Sequence, residues 1–516
     1  MNTTTKIRRA VIVGAGISGL SAALELARTG MQVTVLERGQ APGGKMRRLR
    51  PHGPDGLPIA EGQGIDAGPT VLTMRWVFDE LFERAGASFD ERVPVRQAEI
   101  LARHAWPEGS RLDLFADRQR SREAIGELAG PKAAAGFSAF CDYAARIYAE
   151  VEGPFIRAQR PTLTTVMAGR GVRGLAGLTR IDSMRTVWKA LGKFFPDPRL
   201  RQLFARYATY AGSSPFQAPA TLNLIAHVEM EGVWYVEGGM YRLAEALATL
   251  IEAHGGEVRC DAEVAAIEVE QGRAVGVTLA TGERVQADVV VCNADAGALA
   301  AGAFGEATRK AVKAPDRALR SQSAVTWATV SPAVGWPLVR HNVCFGDDYP
   351  EEFKDVFTRR RTPQSPTVYI CAQDRGARPV ASGEAERMLI LVNAPPDGDA
   401  PPAQYEEMIE ACETQMRQQL SRCGLEIELS PGTLRTDPRG FEALFPHTGG
   451  ALYGLASHSW KTSFLRPPAW SKVPGLYLTG GYAHPGAGVP MVALGGMLAA
   501  EKIAADLALA PPSTSG

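Results

Sequence analysis

Along the opening of the chain the spacing of apolar positions changes three times. Arg9 to Val13 is a short, almost unbroken apolar run, the pattern of a strand buried on both faces. It passes directly into GAGISG and then LSAALELARTG, where Leu20, Leu24 and Ala27 share one face of a helix. A second apolar run, MQVTVLE, ends at Glu37. The pattern returns between Trp234 and Asp295, where Leu243, Leu247 and Leu250 mark a helix face and alternating strands follow. Near the end, GLYLTGG reads as another strand leading into a helix. Strands alternating with helices in this way predict an α/β fold built on a parallel sheet.

The first turn carries candidate chemistry. A strand, a G-x-G-x-x-G turn and a helix in register form a dinucleotide-binding arrangement. In it Gly14 permits the turn, Gly16 lets backbone approach a diphosphate, and Gly19 lets the helix pack on the strand. The free amides of the helix N-terminus, from Ala15 through Ser18, then face the phosphates. Glu37, at the end of the second strand, is placed to accept hydrogen bonds from an adenosine ribose, and an acid there argues against a 2′-phosphate and so against NADP.

Length and composition set bounds. At 516 residues the chain exceeds one ordinary core, which predicts two domains. Lys plus Arg and Asp plus Glu are equal at 56 each, so no global field recruits nucleic acid. Seven cysteines are scattered without a C-x-x-C pair or clustered histidines, which gives neither a disulfide framework nor a metal site. The opening MNTTTKIRRA lacks the apolar core of a secretory signal, so the expected compartment is the cytoplasm. The most apolar stretch, GAGVPMVALGGMLAA, is short and broken by glycine, so any membrane is met at its surface.

After Glu37 the chain runs through Arg38 into RGQAPGGKMR, a second close-approach turn at Gly43 and Gly44 followed by Lys45. This segment resembles the one that wraps the diphosphate in flavoproteins of the amine oxidase and phytoene desaturase superfamily. IDAGPTVLT (Ile65 to Thr73) and GLYLTGGYAHPGAGVPMVALGGMLAAEKI resemble elements of bacterial phytoene-type carotenoid desaturases. The segments LARHAWPEG, VYICAQDR and AHPGAGVPM are similar to the hydroxycarotenoid 3,4-desaturases of phototrophic bacteria, the hydroxyneurosporene or methoxyneurosporene type.

That resemblance implies FAD as cofactor and a Rossmann-like FAD-binding domain assembled from 1–77, 232–302 and 471–516. The substrate domain would comprise 78–231 and 303–470. It adds Gly68, Pro69 and Thr70 to the cofactor set, and Val264 where a strand backbone meets the adenine region. It also implies that the helix N-terminus at Pro490, Met491 and Val492 points at the flavin pyrimidine edge, with Gly480 and Gly481 standing where many superfamily members carry an acid. The implied reaction is desaturation of an acyclic carotenoid, a 1-hydroxylated one at its 3,4 bond, by hydride transfer to flavin N5 and proton loss, with oxygen or a quinone as electron acceptor. Phytoene or another carotene is the alternative substrate. A non-enzymatic alternative, the isoprenoid-binding GDP dissociation inhibitors, keeps a related fold.

For the proton acceptor the candidate is His484, while His447 and His458 are candidates for lining a substrate channel. A hydroxylated substrate further predicts a buried polar partner at the end of that channel. Between Arg157 and Arg206, eleven Lys or Arg face two acids. Within this stretch, SMRTVWKALGKFF places Met184, Val187, Trp188, Leu191 and Phe195 on one helical face and Arg185, Lys189 and Lys193 on another. That pattern fits an interfacial helix resting on the cytoplasmic side of a membrane.

Overall fold

The structure is a computed structural model, which describes residues 8–53, 56–160, 181–376, 378–381, 383–401 and 405–507. Five parallel strands form the first layer, in the order Leu476–Leu478, Val289–Cys292, Arg9–Val13, Gln32–Leu36, Glu257–Arg259. The apolar run at the start of the chain becomes the central strand because both of its faces are covered. Ala10 and Ile12 pack with the helices Ile17–Ala27, Arg242–Ala253 and Val489–Leu507. Val11 and Val13 instead meet Val264, Ile267 and Val277 of an antiparallel three-stranded meander formed by Val264–Glu270, Arg273–Leu279 and Arg284–Gln286.

The sheet thus draws its strands from three separated parts of the chain. Trp76–Arg84, which straddles the expected boundary at 77, sends Val77, Phe78, Leu81 and Phe82 into the same core as the first helix. The first layer therefore extends past that boundary, since these apolar side chains face the Val489–Leu507 helix.

A second, eight-stranded sheet runs Leu425–Ile427, Ser323–Gly335, Ala385–Ala394, Val368–Ala372, His341–Cys344, Ile100–Ala105, Arg111–Phe115, and Leu434–Thr436 pairs with its longest strand. Period-two alternation assigns its faces. Val368, Ile370, Ile390 and Val392 pack beneath the helix Tyr405–Arg422, and the cross-strand neighbours Val343, Tyr369 and Leu391 point the other way, into a cavity. Helices cover that side, led by Pro131–Val151, around a phenylalanine cluster in which Phe195 and Phe204 stack at 4.6 Å.

This cluster overturns the expectation of an interfacial helix. The helix is one short piece, Val187–Leu191, capped by Thr186 Oγ1, and Val187, Leu191 and Phe195 are fully buried against Phe140 and Phe204. Burial against aromatic rings wins over contact with lipid for these side chains, and Met184 alone of the set is fully exposed, at 82%. Four of the eight described cations of this stretch are paired: Arg157 with Glu80, Arg185 with Asp182, Arg199 with Asp197 and Arg206 with Glu229. Residues 161–180 of the cation-rich stretch lie outside the described residues. Among the described residues no helix is long and apolar enough to cross a membrane.

Gly496 marks where the last helix crosses the first. A Cβ there would stand 2.3 Å from the Ser18 carbonyl oxygen and 2.8 Å from Ser21 Cβ. Gly496→Val is expected to lower stability by about 1–3 kcal/mol through overpacking, read as a lower denaturant midpoint with unchanged slope.

Candidate flavin cradle and substrate cavity

The fingerprint folds as its glycines require. Gly14 adopts φ +97°, and its amide donates to the Leu36 carbonyl at 2.8 Å, closing the turn over the neighbouring strand. A Cβ on Gly19 would lie 2.3 Å from the Gly14 carbonyl oxygen, so only glycine lets the helix begin this close. Gly16 caps the helix without a side-chain acceptor and the first turn carries no acid, which leaves its amides free for an anion. Glu37 lies beside them, Oε2 accepting from the Ala15 amide and Oε1 from the Gly39 amide, both at 2.8 Å.

Three other segments close on this turn. Gly43 donates to the Ala15 carbonyl at 2.8 Å, and a Cβ on Gly44 would come within 3.1 Å of Gly16 Cα. Gly68 presses against the next residue, since its Cβ would fall 1.8 Å from the Lys45 carbonyl oxygen. From the C-terminal side, Ser18 Oγ hydrogen bonds with Thr479 Oγ1 and accepts from the Gly480 amide at 3.1 Å. Val264 sits in the core with Leu36, close to Glu37, whose carbonyl accepts from Ala262 at 2.8 Å.

One residue of this cradle escaped the sequence reading. Asn293, just past the strand Val289–Cys292, donates from Nδ2 to the Gly14 carbonyl at 3.1 Å and stands within 2.8–3.0 Å of where Cβ atoms would be on Gly16, Gly19 and Gly480. It ties the first turn to the last strand. The available signal was a polar residue directly after a four-residue apolar strand, VVVCN, in a sheet whose strand ends carry the site. Asp66 was missed as well: buried, it accepts from the Met240 and Tyr241 amides at 2.8 and 3.4 Å and holds the Gly238–Gly239 turn, and burial raises its carboxyl above the usual range.

Two expected contacts point elsewhere. Arg38 sends its guanidinium to the Ala443 and Leu444 carbonyls at the end of the helix Pro438–Leu444. Lys45 donates to the Leu452 carbonyl at 2.8 Å, and burial lowers its pKa while Asp295 opposes that shift. Both side chains thus serve carbonyl groups of a neighbouring segment, not the turn itself.

Beside the cradle lies a cavity of about 450 Å³. Gly68, Pro69, Thr70, Gly488, Pro490 and Met491 line it where the cradle opens, and Val492 continues the same helix. Further walls are apolar, from Val71, Met74, Phe155, Leu224, Ile225 and Val228. Arg466 also lines it, donating to the Gly481 carbonyl at 2.6 Å, and burial brings its pKa down to about 10.

None of the nominated histidines is among the residues lining this cavity. His484 Nε2 lies 2.8 Å from the Ala158 carbonyl and its ring meets Phe155 edge-on, so it braces the cavity's outer wall. His458 Nε2 accepts from the Ser214 amide at 3.0 Å and abuts Phe357. His447 is exposed, its amide donating to Glu442. In each case a backbone partner or solvent takes the ring that sequence position placed near the site.

The chain is similar to known proteins. The Flavin containing amine oxidoreductase family matches residues 17–504. A hydroxyneurosporene desaturase of Rubrivivax gelatinosus is 50% identical over 504 residues, 97% of this chain and 94% of that one. The chain belongs to this flavin family, among its carotenoid desaturases. A hydroxyneurosporene desaturase of Cereibacter sphaeroides is 44% identical over 97% of this chain and 98% of its own length. An oxidoreductase from Methanosarcina mazei shares the fold, with a TM-score of 0.60 at 18% identity over 96% of this chain and all of that one. The family implies a flavin cofactor, and the glycines of the cradle are the positions where a side chain would collide.

Replacing Asn293 with leucine is expected to cut flavin retention at least tenfold, measured by flavin absorbance per polypeptide after purification. A pH effect follows from burial, which pulls the His458 and His484 imidazoles down to about 4. Their folded-state pKa lies below the unfolded value near 6.5, so the unfolded chain takes up protons first on acidification. Their contribution to stability is full above pH ~6.5 and is lost as pH falls toward 4. Denaturant midpoints across that window check this, and His458→Gln should flatten the decline.

Proposed function

We propose that the protein binds FAD and desaturates the 3,4 bond of an acyclic 1-hydroxycarotenoid of the hydroxyneurosporene type, which it takes up from the cytoplasmic surface of a membrane. The observation that carries this reading is a mostly apolar cavity opening onto the flavin cradle, in a chain half identical to a hydroxyneurosporene desaturase. Glu37 at the ribose position favours a dinucleotide, and hence FAD over a mononucleotide. Diphosphate would lie on the amides of the helix N-terminus that begins after Gly16, adenine beside Val264, and the pyrimidine edge at Pro490 to Val492. When bound, the flavin supplies the hydride acceptor.

The chain's part is placement. A polyene offers no carbonyl or amine to activate, so holding one C–C bond against the cradle while excluding water is the main contribution. For the proton, a path leads away from the cavity wall: Thr70 Oγ1 lies 2.7 Å from Tyr369 OH, which lies 2.7 Å from His341 Nδ1. Burial lowers the His341 imidazole to about 3, so the ring is neutral and its part is to hold the Tyr369 hydroxyl by accepting at Nδ1, not to keep the proton.

Membrane uptake is supported by exposed apolar side chains beside the cavity lining. Met184 and Leu465, 82% and 58% exposed, adjoin the lining residues Ser183 and Phe464. Such side chains can enter the headgroup region while the carotenoid passes between them.

Purified protein is expected to carry FAD and to convert 1-hydroxyneurosporene in vesicles to a 3,4-desaturated product with a longer chromophore. Conversion of phytoene instead would assign the other substrate class. Tyr369→Phe should lower kcat at least tenfold with little change in KM, and equal kcat in the two proteins would remove the proton path.

A further inference from the structure

Leu389, Leu391 and Asn393 line the cavity from one face of the strand Ala385–Ala394, so its wall turns from apolar to polar over roughly 13 Å. At the polar end a chain of hydrogen bonds sets the orientation of two amides. Glu352 Oε2 accepts from the Thr367 amide at 3.1 Å and from its hydroxyl at 2.6 Å, and Oε1 accepts from Asn393 Nδ2 at 3.1 Å. Asn393 must then present its oxygen to Gln322, whose Nε2 donates to it at 3.0 Å. Gln322 Oε1 is left as an acceptor that no donor among the described residues reaches, although the residue is only 2% exposed.

Tyr349 completes the arrangement. It opens the helix Tyr349–Lys354, one turn before Glu352, it lines the cavity, and its ring is held edge-on by Phe345 and Phe353. Its hydroxyl is buried, also without a partner among the described residues. Buried polar groups without partners are rare, because each forfeits its hydrogen bonds to water. Here an unmatched donor and an unmatched acceptor belong to residues lining one cavity. The neighbouring Tyr207 and Tyr210 differ, since both direct their hydroxyls at the Glu229 carboxylate, as Arg206 does through Nη2, although Arg206 Nε also lacks a partner among the described residues.

We propose that Tyr349 and Gln322 form the subsite for the substrate's terminal hydroxyl, Tyr349 donating to its oxygen and Gln322 Oε1 accepting its hydrogen. The proposal rests on the reading of the substrate as a 1-hydroxycarotenoid. In such a molecule one carbon separates the hydroxyl-bearing carbon from the 3,4 bond, so the subsite has to lie beside the cradle. The Gln322 carbonyl accepts from the Leu452 amide at 3.2 Å, and the Leu452 carbonyl accepts from Lys45 Nζ at 2.8 Å, so one residue links Gln322 to the side chain that follows the Gly43–Gly44 turn. An ether oxygen in place of the hydroxyl could accept from Tyr349 but would leave Gln322 Oε1 unmatched, so the subsite selects hydroxy over methoxy ends.

The test compares flavin-loaded wild type with Tyr349→Phe and Gln322→Met on 1-hydroxyneurosporene, its methoxy counterpart and neurosporene. It reads kcat/KM ratios together with dissociation constants from the absorption shift of bound carotenoid. Tyr349→Phe is expected to lower the preference for hydroxylated over unhydroxylated substrate about tenfold in both readouts. Its thermal midpoint should stay level or rise, because a buried hydroxyl without a partner is removed. Gln322→Met is expected to erase the preference for hydroxy over methoxy. A wild-type enzyme with no preference for the hydroxylated carotenoid would sink the substrate reading itself. Wild-type preference that survives both substitutions would overturn the subsite alone.

Discussion

Backbone has to meet backbone at the centre of this molecule. A Cβ on Gly19 would strike the Gly14 carbonyl, one on Gly44 would crowd Gly16, and one on Gly68 would overlap the Lys45 carbonyl. Because these positions lack side chains, three segments distant in sequence close around one helix N-terminus that no side chain among the described residues caps. Asn293 fills the remaining gap, bonding to the Gly14 carbonyl and occupying the space beside Gly480. The cradle and the first sheet are therefore one construction. Gly14, Asn293 and Gly480, just past three neighbouring strands of that sheet, meet at the cradle, and the cavity opens where the C-terminal helix begins.

The second sheet answers a different demand. Its outer face is sealed by the helix Tyr405–Arg422, so its inner face can turn Val343, Tyr369 and Leu391 toward an extended apolar ligand. Aromatic packing around Phe140, Phe195 and Phe204 fixes the opposite wall and explains why the segment around Val187 faces inward. Polar groups appear in this wall in two ways. Some close on one another, as Tyr207, Tyr210 and Glu229 do around Arg206, of which only Nε is left over, and others, Tyr349 and Gln322, keep an unmatched atom. The first kind stabilises shape, and the second kind leaves chemistry available to a ligand.

Local pattern by itself determined the first βαβ unit, the glycine turns at Gly14 to Gly19 and Gly43 to Gly44, the helix face of Leu243, Leu247 and Leu250, and the closing strand and helix. Each depends on backbone conformation or on a single burial periodicity, which neighbouring residues encode. Only the tertiary structure decided which side chains reach the site. His484 sits next to cavity-lining residues in sequence yet turns to the Ala158 carbonyl, and Arg38 leaves the turn for Ala443 and Leu444. The Val187 segment has the amphipathic spacing of a membrane helix and is claimed by a phenylalanine core. Asn293 is marked only by its place after the apolar strand VVVC, and Asp66, Tyr349 and Gln322 show no local signal of their roles, because each role is a distance to residues far away in the chain. Such distances arise when sheets pack and polar atoms are either matched or stranded, and periodicity along a sequence does not record them.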